Sequence, residues 1–413
     1  MKIFTSTFRN FLVICLTSSS FLGLAQKDSL IKRIPRDTIN PKLNMDAVYN
    51  RPFLVAGKLP IAIGGYLEMN TQYSGTDGVA DGFSFQMRRM SLFFSSTVTK
   101  KIKFLSELEF EGGTKEINIE YCALDIEFHP LLNLRGGIVM NPIGGFNQNH
   151  DAPRWDFIDR PISATSIIPS TLSNVGMGIH GKYFAHNWII GYEMYLTNGF
   201  DNKIVDNDEG RTSLHAGKEN VDKFEESNSG LPLYTGKIAI RNRKVGELGI
   251  SYMTGVYNKY KMDGLIIDNQ RTASVFAIDY NTSLLKNKLN ITGEYAKVMV
   301  DVPNTFTQQY GSKQWGAYTD IVYTLLQRKM LGWEKAKLNL GVRSEYADYN
   351  VGLFKETSTN IGDDVWAFTP SIAFRPTGTT VIRVNYRFEG RHDLLNNSLS
   401  RTNVIQFGFS SYF

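Results

Sequence analysis

From Leu59 to the C-terminus the chain alternates apolar and polar residues with a period of two. Ile61, Ile63, Leu67 and Met69 share one face, and Glu68, Asn70 and Gln72 the other. That is the signature of a strand with one apolar and one wet face. Ile102, Phe104, Leu108 and Phe110 oppose Lys103, Glu107, Glu109 and Glu111 in the same way. So do Ile382, Val384, Tyr386 and Phe388 against Arg383, Asn385, Arg387 and Glu389. The pattern predicts sixteen strands, at 61–74, 83–98, 101–111, 116–128, 131–141, 175–184, 187–198, 232–242, 245–257, 272–284, 289–302, 314–327, 336–349, 364–375, 379–390 and 403–413. The phase slips at Arg88-Arg89 and around Ala123-Leu124, which predicts β-bulges or displaced strand ends there.

The links between segments alternate in length. Short ones follow even-numbered segments, as at Thr99-Lys100, His129-Pro130, Ala185-His186 and Arg328 to Lys335. Longer ones follow odd-numbered segments, at 75–82, 112–115, 142–174, 199–231, 258–271, 303–313, 350–363 and 391–402. An even strand count, short turns on one side and long loops on the other describe an all-β transmembrane antiparallel barrel. A pair of secreted β-sandwiches would also alternate, but gives no reason for the asymmetry of the links.

Composition fits this reading. The mean hydropathy is only -0.22, yet 26 Phe, 20 Tyr and 5 Trp are too much aromatic surface for a disordered chain. A barrel resolves the conflict, because its wet face offsets its lipid-facing one. The polar N-terminus divides further. Lys2 and Arg9, the apolar run from Phe11 and the small residues Gly23 and Ala25 predict a cleaved signal peptide over 1–25. Removing Lys2 and Arg9 leaves 43 basic residues against 40 acidic, a net +3 that argues for no nucleic-acid partner. Cys122 alone remains, so no disulfide framework is expected. Residues 26–58, with Pro35, Pro41 and Pro52 among many charges, read as a flexible periplasmic lead-in or as a plug entering a lumen. Residues 59–413 form the barrel.

Several runs suggest a family. Arg88-Arg89-Met90-Ser91-Leu92-Phe93-Phe94, Phe104 to Phe110, Leu134-Arg135-Gly136-Gly137 and Asn141-Pro142-Ile143-Gly144 occur in that order. They resemble the phosphate-selective porin O and P family in its Bacteroidetes-type form, and the Asp159-Arg160-Pro161 run is like a stretch of that family's third loop. The final strand, with Ile405, Phe407, Phe409 and a terminal Phe413, is similar to the closing strand of outer-membrane barrels. The resemblance implies a homotrimeric channel in the outer membrane of a Gram-negative bacterium, with loop 142–174 folded into the lumen as a constriction. A pore selects by charge and width at its narrowest ring. Inward Arg135 and the loop residues Asn147, His150, Asp151, Arg154, Trp155, Asp159 and Arg160 are therefore the candidates for that ring. Glu68, Arg88, Lys103, Lys182, Arg343, Arg383 and Arg387 are expected to line the pore. Lys237 should face inward with them, but so should Glu107, Glu109, Glu120, Glu345 and Glu389. No one-sided basic ladder results, so the family's phosphate preference does not carry over.

Enzymatic chemistry finds little support. His150-Asp151 lacks a partnered nucleophile, and the remaining histidines show no metal-ligand spacing, so no cofactor and no metal are expected. The leading expectation is a porin passing small hydrophilic solutes by diffusion, inorganic anions among them, with outer-membrane lipid around it. A plugged transporter for hydrophobic compounds, or a structural or adhesive barrel working through loop 199–231, are the alternatives.

Overall fold

The alternating pattern closes on itself. The computed structural model describes residues 31–33, 43–56, 60–113, 115–242, 244–303, 305–306 and 309–413. Its sixteen long strands are β1 Ile61–Thr76, β2 Val79–Thr99, β3 Ile102–Glu111, β4 Glu116–His129, β5 Leu132–Met140, β6 Ser173–Ala185, β7 Trp188–Thr197 and β8 Leu233–Asn242. There follow β9 Gly246–Val256, β10 Thr272–Leu284, β11 Leu289–Val300, β12 Lys313–Met330, β13 Trp333–Asp348, β14 Asp364–Arg375, β15 Thr380–Arg391 and β16 Ser400–Tyr412. Each pairs antiparallel with its chain neighbours, and β16 returns to β1 through Thr402↔Thr76 to Tyr412↔Tyr66. Closure removes the edges, so every strand backbone can be satisfied without water.

The two faces differ as the pattern requires. On β16, Ile405, Phe407 and Phe409 point outward, while Gln406 and Ser410 are buried inside. At the seam the Phe413 amide donates to Gly65 O at 3.1 Å, and a Cβ on Gly65 would lie 2.4 Å from the Phe413 ring. Only glycine lets the last aromatic lie against β1.

Both phase slips are bulges. Glu68 pairs with Arg89 and Met69 with Met87, leaving Arg88 unpaired, so two consecutive arginines reach the lumen. On β4, Glu107 pairs with Tyr121 and Leu108 with Ile119, leaving Glu120 as the extra residue. That is three residues before the position expected from the pattern.

Two links also need correction. The expected outer loop 75–82 is a turn at Asp77-Gly78, because both residues adopt positive φ (52° and 85°), the conformation of a tight hairpin. The expected link 328–335 shrinks to Leu331-Gly332, with the strands running through the rest. Of the other outer links, 112–115 is a four-residue connection, the rest are long, and two fold inward. Loop 141–172 crosses the lumen, and loop 198–232, carrying the short helix α1 Leu214–Lys218, packs Phe200, Ile204 and Leu214 against it. Together with Ile143, Ile167, Leu172, Met253, Val275 and Val298 they form an apolar core inside the outer half of the barrel, on its β8–β14 side.

The signal peptide, and residues 26–30, 34–42 and 57–58 of the lead-in, lie outside the described residues. The short strands Ile31–Arg33 and Leu54–Ala56 pair with each other, and the second continues onto β1 through Leu54↔Ile63.

Candidate functional site

The lumen is a ladder of matched charges. Each inward basic residue expected from the sequence meets a carboxylate: Lys103 with Glu127, Arg135 with Asp125, Lys182 with Asp46 and Lys237 with Asp279. Arg343 meets Asp320, Arg383 meets Glu68 and Arg387 meets Glu345. Most of these pairs are buried, where a lone charge would cost several kcal/mol. The pairing therefore fixes the shape of the wall.

Loop 141–172 is seated on this ladder by its backbone. Its tip turns at Gly144 with φ +66°, and a Cβ there would lie 2.5 Å from Glu294 Oε2. The amides of Gly145 and Phe146 donate to that same carboxylate at 2.7 and 3.0 Å, and Lys237 donates to Gly144 O at 2.6 Å. Farther along, Arg343 donates to Asp159 O and Arg383 to Phe157 O, both at 2.6 Å. The Ile162 amide donates to Glu345 at 2.8 Å. Backbone groups of a loop crossing a lumen need such partners.

A second insert lies beside it. Residues 43–53 pack inside the wall, with Leu43 and Met45 against Ile189 and Ala239. The Asn44 amide donates to Glu247 at 2.8 Å, and Asp46 pairs with Lys182. Tyr49 lies under the Arg135 guanidinium, 3.8 Å from ring centroid to Cζ. Arg51 reaches Glu107 and Asp151 at 2.7 Å each and stacks over Phe93. Burial works against ionisation of Asp151, yet Arg51 and then Arg154 hold its carboxyl well below the usual carboxylate range.

The residues expected at the constriction gather around these two inserts. Asn147 donates to Asn141 O and Leu172 O, tying the two ends of the loop together. His150 donates from Nδ1 to Asn147 O at 2.8 Å, and its Nε2 lies 3.3 Å from Arg51. Arg154 donates to Tyr412 and to Ala47 O, and Trp155 stacks on Phe146. Asp159 pairs with Arg88 at 2.7 Å; burial opposes its charge, but Arg88 and Arg387 bring its carboxyl down to about 2. Arg160 donates to Ser170 and approaches Glu109 at 3.8 Å. Glu107, His150 and Asp151 converge like metal ligands, but Arg51 stands among them and matches both carboxylates.

Tyr49, Arg51 and the apolar residues Phe200, Ile204 and Leu214 of loop 198–232 also lie in the lumen, beyond the residues expected there. A signal was present in the lead-in: Leu43, Met45, Ala47 and Val48 are an apolar cluster inside a polar segment.

Open space remains on both sides of the inserts. On the outer side a cavity of about 550 Å³ lies between β4, the end of loop 141–172 and helix α1. On the inner side, cavities of about 320 and 240 Å³ reach Trp155 and Asp156, and Tyr49 and Arg135.

No family model matches the chain. An uncharacterized protein of Aquifex aeolicus (strain VF5) is 26% identical over 367 residues, spanning 84% of this chain and 80% of its own. The anion-selective porin from Comamonas acidovorans superposes with a TM-score of 0.51 at 12% identity, over 86% of this chain and 99% of its own. The outer membrane channel DcaP of Acinetobacter baumannii gives 0.52 at 12% identity, over 86% and 97%. OprB of Pseudomonas putida gives 0.52 at 8% identity, over 86% and 94%. At these identities the likeness is one of architecture: the chain has the closed antiparallel barrel fold of the outer-membrane porins.

Proposed function

We propose that this protein is a passive diffusion channel of a Gram-negative outer membrane, exported by its cleaved leader and assembled as a homotrimer. Its solutes are small and hydrophilic. The observation that carries this reading is the polar, charge-paired lumen held inside an apolar outer belt, a wall that suits water and solvated solutes. Arg135, Asn147, His150, Asp151, Arg154, Trp155, Asp159 and Arg160 form the narrow zone, with Arg51 completing it. The motif resemblance to the phosphate-selective porin O and P family supports the channel class. An anion preference gains little from Lys103, Arg135, Lys182, Lys237, Arg343, Arg383 and Arg387, because each already faces a carboxylate.

One observation favours a plugged transporter instead, namely the position of residues 43–53 inside the lumen. The groups around that segment include Glu107, Asp151, Lys182 and Glu247, so a hydrophilic route fits better than one for hydrophobic compounds. Planar-bilayer recording in a salt gradient tests the reading. A conducting protein with a reversal potential near zero supports it. Strong anion selectivity would mean that basic residues act unpaired, and a folded protein that never conducts would remove the channel.

A further inference from the structure

Among the buried carboxylates of the described residues, Glu120 alone has neither a hydrogen bond nor an ion pair. It is 2% exposed, and its side chain lines the outer cavity of about 550 Å³. A buried carboxylate without a partner is costly, so the position calls for a reason. Its placement is structural: Glu120 is the extra residue of the β4 bulge, and bulges re-aim side chains at the rims of barrels.

The other charged groups of the cavity are already engaged, except the exposed Glu116, which has one 3.4 Å contact from the Asn118 side-chain amide. Lys218 donates to Ser170 O and Thr171 Oγ1 at 2.9 and 2.7 Å, and Lys223 donates to Lys218 O at 2.6 Å. Glu111 pairs with Arg89, and His215 with Glu219. Lys218 and Lys223 attract Glu120 through space, but both ammonium groups are turned to those neutral oxygens of Ser170, Thr171 and Lys218, and neither comes within ion-pair distance of its carboxylate. A metal ion is a poor candidate, because the converging ligand group found among the described residues is Glu107, His150 and Asp151, without Glu120. The cavity volume is that of a small-molecule site.

We propose that this outer cavity is a binding subsite for the ammonium group of a small hydrophilic solute, with Glu120 as the counter-charge. The inference deepens the channel reading by naming a solute class, and rests on it only for the passage that follows binding. Lys218 and Lys223 lie on the same wall, so the solute's remaining polar or anionic groups have donors to face. The bulge makes Glu120 specific to this position, since an unbroken strand would turn either it or Tyr121 to lipid.

Matched sugars separate the charge from the shape. Equilibrium dialysis of the purified, folded protein with labelled glucosamine and labelled glucose compares an ammonium with a hydroxyl on one ring. Glucosamine should bind about tenfold or more tightly than glucose, the scale of one ion pair in a partly buried site. Glu120→Gln should abolish that preference while leaving glucose binding unchanged. Lys223→Gln, which removes a competing positive charge, should strengthen glucosamine binding. Equal binding of the two sugars, or a preference that survives Glu120→Gln in a heat-modifiable, folded barrel, overturns the proposal. Bilayer recording on the same samples keeps the two readings apart. Glucosamine preference without conductance supports the subsite and removes the channel; conductance without preference overturns the subsite and leaves the channel.

Discussion

Loop 141–172 and segment 43–53 share one lumen but are held there differently. The loop leaves the wall at β5 and returns at β6, so both of its ends are covalently fixed. Its backbone is bonded to the opposite wall through Glu294, Lys237, Arg343, Arg383 and Glu345. The segment is held at its downstream end by Leu54 to Ala56, at two backbone points by Glu247 on the Asn44 amide and Arg154 on Ala47 O, and chiefly by side chains: Asp46, Tyr49 and above all Arg51. Backbone seating spreads over many weak points, while side-chain seating concentrates on a few residues. The loop should therefore behave as part of the barrel, and the segment as a separable insert.

The first way to break this contrast is at the loop tip. Lys237→Met leaves Asp279 buried and unpaired and removes the bond to Gly144 O. It should lower the stability of the whole barrel by about 3–5 kcal/mol in urea. A loss confined to local exchange at the tip would show that the loop is not part of the cooperative unit. Arg51→Met makes the opposite test. It should accelerate amide exchange over 43–53 by roughly 100-fold, the equivalent of a broken buried pair, while exchange in 157–172, beyond the Asp151 contact, stays within a few-fold. Equal acceleration in both inserts would merge them into one unit.

A smaller effect is expected at the turn. Gly144→Ala forces a Cβ onto φ +66° and against Glu294, at a cost of about 1–3 kcal/mol read by urea unfolding. The smallest effect concerns acid. Asp159 has its folded pKa depressed to about 2, so its pairing with Arg88 stabilises the protein above the ordinary carboxylate range and is lost as pH falls toward that value. The difference in urea midpoint between the parent and Asp159→Asn should be present at pH 7 and vanish near pH 2. A difference that grows on acidification would contradict the assignment.

Strands were legible because alternation is written locally. β10 and β14 begin and end where the pattern places them, at 272–284 and 364–375. The first outer link was not, because 79–82 read as part of the link while the actual turn is set by positive φ at Asp77 and Gly78. The pattern also showed that the phase slipped on β4, but could not identify Glu120 as the bulged residue, since that depends on pairing with Leu108 on another strand. Inward charges could be read from parity alone. Their mutual cancellation could not, because Arg383 with Glu68 and Arg343 with Asp320 are contacts between strands. The role of 43–53 was the least visible. Its partners Glu107, Asp151 and Glu247 lie scattered over the next two hundred residues, and nothing in the lead-in's composition specifies them.

Single-channel recording of the full chain beside one lacking residues 43–53 shows whether the lumen conducts and whether the segment narrows it. Both proteins should fold to heat-modifiable barrels and conduct ions, and the deletion should raise conductance at least about twofold by widening the narrowest ring. Two folded barrels that both remain silent would contradict a diffusion channel. Equal conductance would contradict the place given to the segment within it.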